Sequence, residues 1–221
     1  MKKTHVKICC ISSIEEAQMA IEAGASALGL VGPMPSGPGT ISNEMILKIS
    51  QVVANQDVET FLLTSETTVE GIYHHYQKTK TTTIQLVDEI EKDGHARLKE
   101  LLPEVKIIQV LHVLNKKTID EAERLMYEVD ALLLDSGNPN LTIKTLGGTG
   151  NIHNWEISKS IVMKSIVPVW LAGGLKPKNV QEAIATVQPY GLDLCSGVRM
   201  NGSLNRNKLL SFFDKVENGR N

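Results

Sequence analysis

The strongest constraint on this chain is a rhythm. Short apolar runs rich in β-forming residues recur about every 25 residues, and each is followed by a longer stretch whose apolar residues fall at helical spacing. The runs are HVKICC (5–10), SALGLV (26–31), VETFLL (58–63), TTIQLV (82–87), VKIIQVL (105–111), DALLLD (130–135), VPVWLA (167–172) and GLDLCS (191–196). In the first intervening stretch, SIEEAQMAIEAG, Ser13 is placed to cap a helix and Gly24 to end it. Ile14, Ala17, Ile21 and Ala23 would form its buried stripe. The same pattern returns in TIDEAERLMYEV, KNVQEAIATV and NKLLSFFDKV. Nearly continuous apolar strands that each return through a helix predict a parallel sheet covered on both faces. Eight such units close an α/β (βα)8 barrel, the TIM barrel, although counting alone also permits an open doubly wound sheet. No Pro/Ser-rich linker or composition break divides the chain, and its 42% hydrophobic content fills one core, so residues 1–221 are expected to form a single barrel domain.

Charge and cysteine usage narrow the function. With 23 basic and 25 acidic residues the formal net charge is -2, which offers no field for nucleic acid or an anionic membrane. The opening MKKTHVKICCISS lacks an apolar run of signal-peptide length, and no stretch approaches the roughly 18 consecutive apolar residues of a membrane-spanning helix. A cytoplasmic protein without nucleic-acid or membrane partners is expected, as a monomer or homodimer. Cys9, Cys10 and Cys195 make an odd count without CxxC spacing, which argues against a disulfide framework and a structural metal.

In a barrel the loops after the strands carry the chemistry. There the chain places Cys9 and Cys10, the loop GPMPSGPG, Asp135, GGTG (147–150), AGGL (172–175) and CSGVR (195–199). The glycines at 147, 148, 173, 174 and 197 let backbone N–H groups approach an anion, and the loops after the last two strands are where such barrels commonly hold phosphate. Asp135 ends an apolar run, a costly place for a carboxylate unless a partner or substrate compensates it, though an aspartate there also suits a turn cap. By strand alternation Lys7 and Cys9 share one face. An inward Lys7 would favour a Cys9 thiolate, whereas a buried cysteine can equally be a small hydrophobe. Asp193 would share that interior and could pair with Lys7. His74 and His75 read as solvated helix residues, and His112 and His153 as mouth residues without an assigned role.

These segments together resemble one family. KICCIS, EEA and EAGASALGLV are similar to the KICGIT, EDA and EAGADALGF opening of phosphoribosylanthranilate isomerases; LLLDS, GGTG, Trp155, LAGGLKPKNVQEAI and VQPYGLDLCSGV continue the match in order. The resemblance implies a (βα)8 fold and an Amadori rearrangement of N-(5-phosphoribosyl)anthranilate to the 1-deoxyribulose 5-phosphate in tryptophan biosynthesis, with no cofactor. Carried over by position, it implies Cys9 as the base at C2 of the sugar and Asp135 as the acid at the ring oxygen. The substrate phosphate would rest on Gly147, Gly148, Thr149, Gly150, Gly173, Gly174, Ser196 and Gly197, with Lys7, Asp193 and Arg199 supporting the site.

The departures cluster where the aromatic half would bind. The SPRYVS-type segment with its carboxylate-binding Arg reads SGPGTIS, with no charge from Ser36 to Ser42, and the QLHG motif reads QLVD, placing Val87 and Asp88 where His and Gly are usual. Asn151, Asn154 and Arg199 replace a Lys, an Asp and an acidic residue, and Arg199 is expected to bring a compensating positive charge to the mouth. Asp88 is expected to repel an anionic aglycone. Cys10 replaces a Gly and, by alternation, is expected to pack under the first or last helix. A paralogue acting on another phosphorylated aminosugar, or a non-catalytic phosphosugar-binding barrel, is the alternative.

Overall fold

A computed structural model describes residues 4–35, 37–137 and 153–218 of the chain. The eight expected strands are present as β1 (His5–Ile8), β2 (Ala27–Val31), β3 (Glu59–Thr64), β4 (Thr83–Leu86), β5 (Lys106–His112), β6 (Ala131–Asp135), β7 (Val169–Leu171) and β8 (Gly191–Leu194). Helices α1 (Ile14–Glu22), α2 (Asn43–Val53), α3 (Val69–Thr79), α4 (Gly94–Leu101), α5 (Lys117–Leu125), α6 (Trp155–Lys164), α7 (Val180–Val187) and α8 (Arg206–Asn218) alternate with them. A 3-10 turn at Ser196–Val198 and the short hairpin β9 (Arg199–Met200) and β10 (Ser203–Leu204) follow β8.

Closure decides between the two topologies left open by strand counting. β1 pairs in parallel with β8 along its whole length, from His5 opposite Gly191 to Ile8 opposite Leu194, so the sheet has no edge strand and forms a barrel in the order β1 to β8. Alternation then divides each strand between two cores. In β6, Leu132 and Leu134 face the helices while Ala131, Leu133 and Asp135 face the barrel axis with Phe61, Leu63, Ile108, Val110 and Trp170. Each fully buried leucine contributes about 2 kcal/mol relative to exposure, and the outer layer, which includes Leu28, Leu30, Leu132 and Leu134, fastens the helices to the sheet.

Local signals explain the first βα unit. The Ser13 hydroxyl accepts from the Glu16 N–H at 3.2 Å and starts α1, and Gly24 at φ 108° supplies the left-handed turn after it. The buried centre of α1 is Glu16, Ala17 and Ala20, with Ile14, Ile21 and Ala23 packed at its margin. None of the described helices is long and apolar enough to cross a membrane.

Two expectations fail on tertiary grounds. β1 stops at Ile8, and Cys10 adopts φ 62°, so strand alternation no longer governs its side chain; Cys10 lines the barrel mouth instead of packing under a helix. His75 is buried, not solvated: its ring lies 2.8 Å from the Thr64 hydroxyl and 3.0 Å from Asn43 Oδ1. Gly32 makes room for it, since a Cβ there would meet the His75 ring at 2.4 Å.

Candidate active site

The floor of the mouth is an ion pair inside the barrel. Lys7 is fully buried, and its Nζ lies 2.8 Å from Asp193 Oδ2 across the β1–β8 register that aligns the two residues. Burial opposes the ammonium, yet Asp193 and then Cys9 outweigh it and keep the Lys7 pKa above its ordinary value. The Nζ also sits 5.2 Å over the Phe61 ring, a cation–π contact. Gly29 on β2 leaves the space that Lys7 and Cys9 occupy; a Cβ there would come within 2.8 Å of Cys9 Sγ and 3.1 Å of Lys7 Cε.

Above this floor one cavity is lined by Cys9, Asp135, Asp193, Gly173, Gly174, Ser196 and Gly197. The structure therefore brings together side chains from β1, β6 and β8 with the loops after β7 and β8. Asp135 is almost fully enclosed, and burial pushes its carboxyl up to about 6 against the Ser136 N–H that it accepts at 2.7 Å; Asp193 raises it further and Lys7 opposes. A carboxyl in that range can hold a proton near neutrality and give it up. Asp193 Oδ1 is buried without a hydrogen-bond partner among the described residues.

The glycine loops have conformational reasons. Gly173 and Gly174 take φ 84° and 63°, and Gly197 lets the turn after β8 press against the β7–α7 loop, where a Cβ would lie 2.0 Å from the Leu175 carbonyl. Asn179 stitches that loop together by accepting from the Lys176 N–H at 2.7 Å and donating to the Gly174 carbonyl at 3.0 Å. Gly147, Gly148, Thr149 and Gly150 lie outside the described residues, as do Ser36 and Asn151.

The other half of the cavity is apolar. Val31, Met34, Pro38, Leu63 and Val87 line it, and no basic side chain does so among the described residues. Asp88 instead borders a second cavity with His95, His112 and Glu121 and does not line the Cys9 cavity. Arg199 is likewise not a free charge at the mouth. Its guanidinium meets both Glu16 carboxylate oxygens at 3.0 Å and donates to the carbonyls of Cys9, Cys10 and Gly202, because the β9–β10 hairpin folds back over α1. Glu16 in turn accepts from the N–H groups of Ser12 and Leu204.

Glu16 and Gln85 are residues that sequence reasoning passed over. Glu16 gives no sign in sequence of a partner 183 positions away. Gln85 was legible as the one polar residue amid Ile84, Leu86 and Val87; it lines the cavity with its Oε1 unpartnered among the described residues. The Arg199–Glu16 pair is nearly buried, so Arg199→Ala, which strands the carboxylate, is expected to cost about 3 kcal/mol in urea unfolding at pH 7. Arg199 holds the Glu16 carboxyl below its usual value against burial, so this contribution is present above the ordinary Glu range and fades as pH falls through the lowered folded value. An unfolding midpoint unchanged by the substitution at pH 7 would contradict it.

Comparison with known proteins adds an independent line. Residues 6–215 match the family model described as N-(5'phosphoribosyl)anthranilate (PRA) isomerase. N-(5'-phosphoribosyl)anthranilate isomerase 2 of Methanosarcina mazei is 34% identical over 216 residues, covering 97% of this chain and 94% of its own. The crystal structure of phosphoribosyl anthranilate isomerase from Thermotoga maritima superposes with a TM-score of 0.83 at 26% identity, covering 97% of this chain and 99% of that one. An isomerase solved in complex with reduced 1-(o-carboxyphenylamino)-1-deoxyribulose 5-phosphate shares the fold, with a TM-score of 0.80 at 24% identity and coverage of 97% and 99%.

Proposed function

The chain belongs to the N-(5'-phosphoribosyl)anthranilate isomerase family, and from that membership we propose that it converts N-(5-phosphoribosyl)anthranilate to 1-(2-carboxyphenylamino)-1-deoxyribulose 5-phosphate with Cys9 and Asp135 as its acid–base pair. The observation that carries the assignment of residues is the shared cavity: a raised, enclosed carboxyl and a thiol beside a buried ammonium face one space, with two glycine loops at its rim. Asp135 protonates the furanose ring oxygen, the bond from that oxygen to C1 breaks, and the ring opens to a Schiff base. Cys9, as thiolate beside Lys7, removes the proton from C2. The resulting enaminol takes a proton at C1, loses the proton of its C2 hydroxyl and becomes the ketose. Gly173, Gly174, Ser196 and Gly197, with 147–150, hold the phosphate through backbone N–H groups and keep the sugar fixed while its ring opens. The proton transfers run on side chains and need no cofactor.

The test is direct. Purified protein is expected to consume N-(5-phosphoribosyl)anthranilate with loss of its fluorescence; absence of turnover would refute the anthranilate reading. A second reading is favoured by one observation, the apolar lining of Val31, Met34, Leu63 and Val87 without a basic side chain among the described residues. It holds that the preferred aglycone lacks a carboxylate. Under that reading a phosphorylated aminoaldose without the carboxylate reacts when the anthranilate compound does not.

A further inference from the structure

One of the chain's departures from its family's pattern meets another cysteine in space. Cys10 stands where KICG has glycine, and its Sγ lies 2.7 Å from that of Cys195 at the rim of the Cys9 cavity. The two thiols are in direct contact, and a disulfide at about 2.05 Å needs only a small further approach of the sulfurs. The backbone also permits it. The Cys9 N–H donates to the Leu194 carbonyl at 2.7 Å, which holds the end of β1 against the end of β8.

Cys10 is held toward its partner from the other side. Its thiol reaches the Pro38 carbonyl at 3.6 Å, and Gly39 is pressed so close that a Cβ there would lie 2.6 Å from Cys10 Cβ. The left-handed φ of 62° is strained for a cysteine, and it is the conformation that turns this side chain to Cys195. Cys9 also touches Cys10, but its Sγ is packed beside Gly29 and Lys7 inside the barrel. Adjacent residues also sit only about 3.8 Å apart at Cα, shorter than a relaxed disulfide.

We propose that Cys10 and Cys195 are a thiol modification site that closes to a reversible disulfide under a peroxide or disulfide oxidant and leaves Cys9 reduced. The reactive member is Cys195, which is partly exposed at the mouth. Contact with Cys10 lowers its pKa, burial opposes, and the Arg199 charge lowers it further; the same contact raises Cys10. With hydrogen peroxide the Cys195 thiolate takes an oxygen as the O–O bond breaks, and a proton completes the departing water, leaving a sulfenic acid. The Cys10 sulfur then displaces that hydroxyl, which leaves with the Cys10 proton as a second water. The pair is oxidised by two electrons and one peroxide is reduced. A dithiol reverses the bond by exchange.

The experiment uses the whole chain as purified. Free-thiol titration after peroxide treatment is expected to fall from three per monomer to one. Peptide mapping without reduction should recover a Cys10–Cys195 link and an alkylated Cys9, with dithiothreitol restoring all three. Cys195→Ser is expected to abolish the loss, and Cys10→Ser to abolish the link, losing only the Cys195 thiol as a sulfenic acid that dithiothreitol restores. Three thiols surviving in the wild type, or a link that includes Cys9, would overturn the proposal without recourse to the variants.

Discussion

Asp135→Asn is expected to lower kcat for N-(5-phosphoribosyl)anthranilate about a thousandfold, within the range that a general acid supplies, while KM changes little. Asparagine keeps the shape and the contact with the Ser136 N–H but has no proton to give to the ring oxygen. The pH profile carries the same signature. Burial first, then Asp193, raise the carboxyl to about 6, so the proton-bearing form is full below that value and is lost as pH rises through it. A falling limb in kcat/KM near that pH is expected in the wild type and should vanish in the variant. Stability should move the opposite way. Because the folded pKa is raised above the unfolded 3.8, ionising Asp135 costs folding energy that is absent below the unfolded value and fully felt above about 6. Asp135→Asn should therefore stabilise the protein at pH 8 by up to about 3 kcal/mol, the equivalent of two pKa units. A variant that is both less stable and inactive would point to a structural role for this carboxyl.

Cys9→Ala is expected to have the second large effect, also about a thousandfold in kcat, because removal of the C2 proton loses its base. The small alanine leaves the Lys7–Asp193 pair intact 2.8 Å apart, so folding should survive, with a cost of only about 1 kcal/mol for the missing sulfur. Single-turnover measurement separates the two roles. With Asp135→Asn the ring does not open, whereas with Cys9→Ala the Schiff base forms and stalls before the C2 proton leaves. Retention of wild-type kcat by either variant would remove that residue from the acid–base pair.

Much of the barrel and of the proposed acid–base pair is legible in the sequence, for reasons that are local. Period-two alternation places Lys7 with Cys9, and Asp193 on the neighbouring strand. An aspartate at the end of an apolar run marks Asp135. The signals that fail are those in which a local rule is switched off by a neighbour distant in sequence. His75 looks solvated because its helix is polar, yet Thr64 and Asn43 satisfy both ring nitrogens and so offset the cost of its burial. Cys10 looks outward when alternation is run two residues past Ile8, where the strand ends. Arg199 looks like a charge for the ligand because it follows β8 at the barrel mouth; Glu16 of the first βα unit claims it across the β1–β8 seam.

The division follows from the range of the forces. Strand and helix type, the inward face of each strand and the glycines of the loops are dictated by the residues themselves, through backbone sterics and the burial of apolar side chains, and these the sequence alone determined. Closure of β1 onto β8 is a global event. It alone decided that Lys7 would find Asp193, that Asp135 would be enclosed enough to hold a proton near neutrality, and that Cys10 would meet Cys195. Each of those outcomes depends on the distance and the dielectric between groups that lie far apart along the chain.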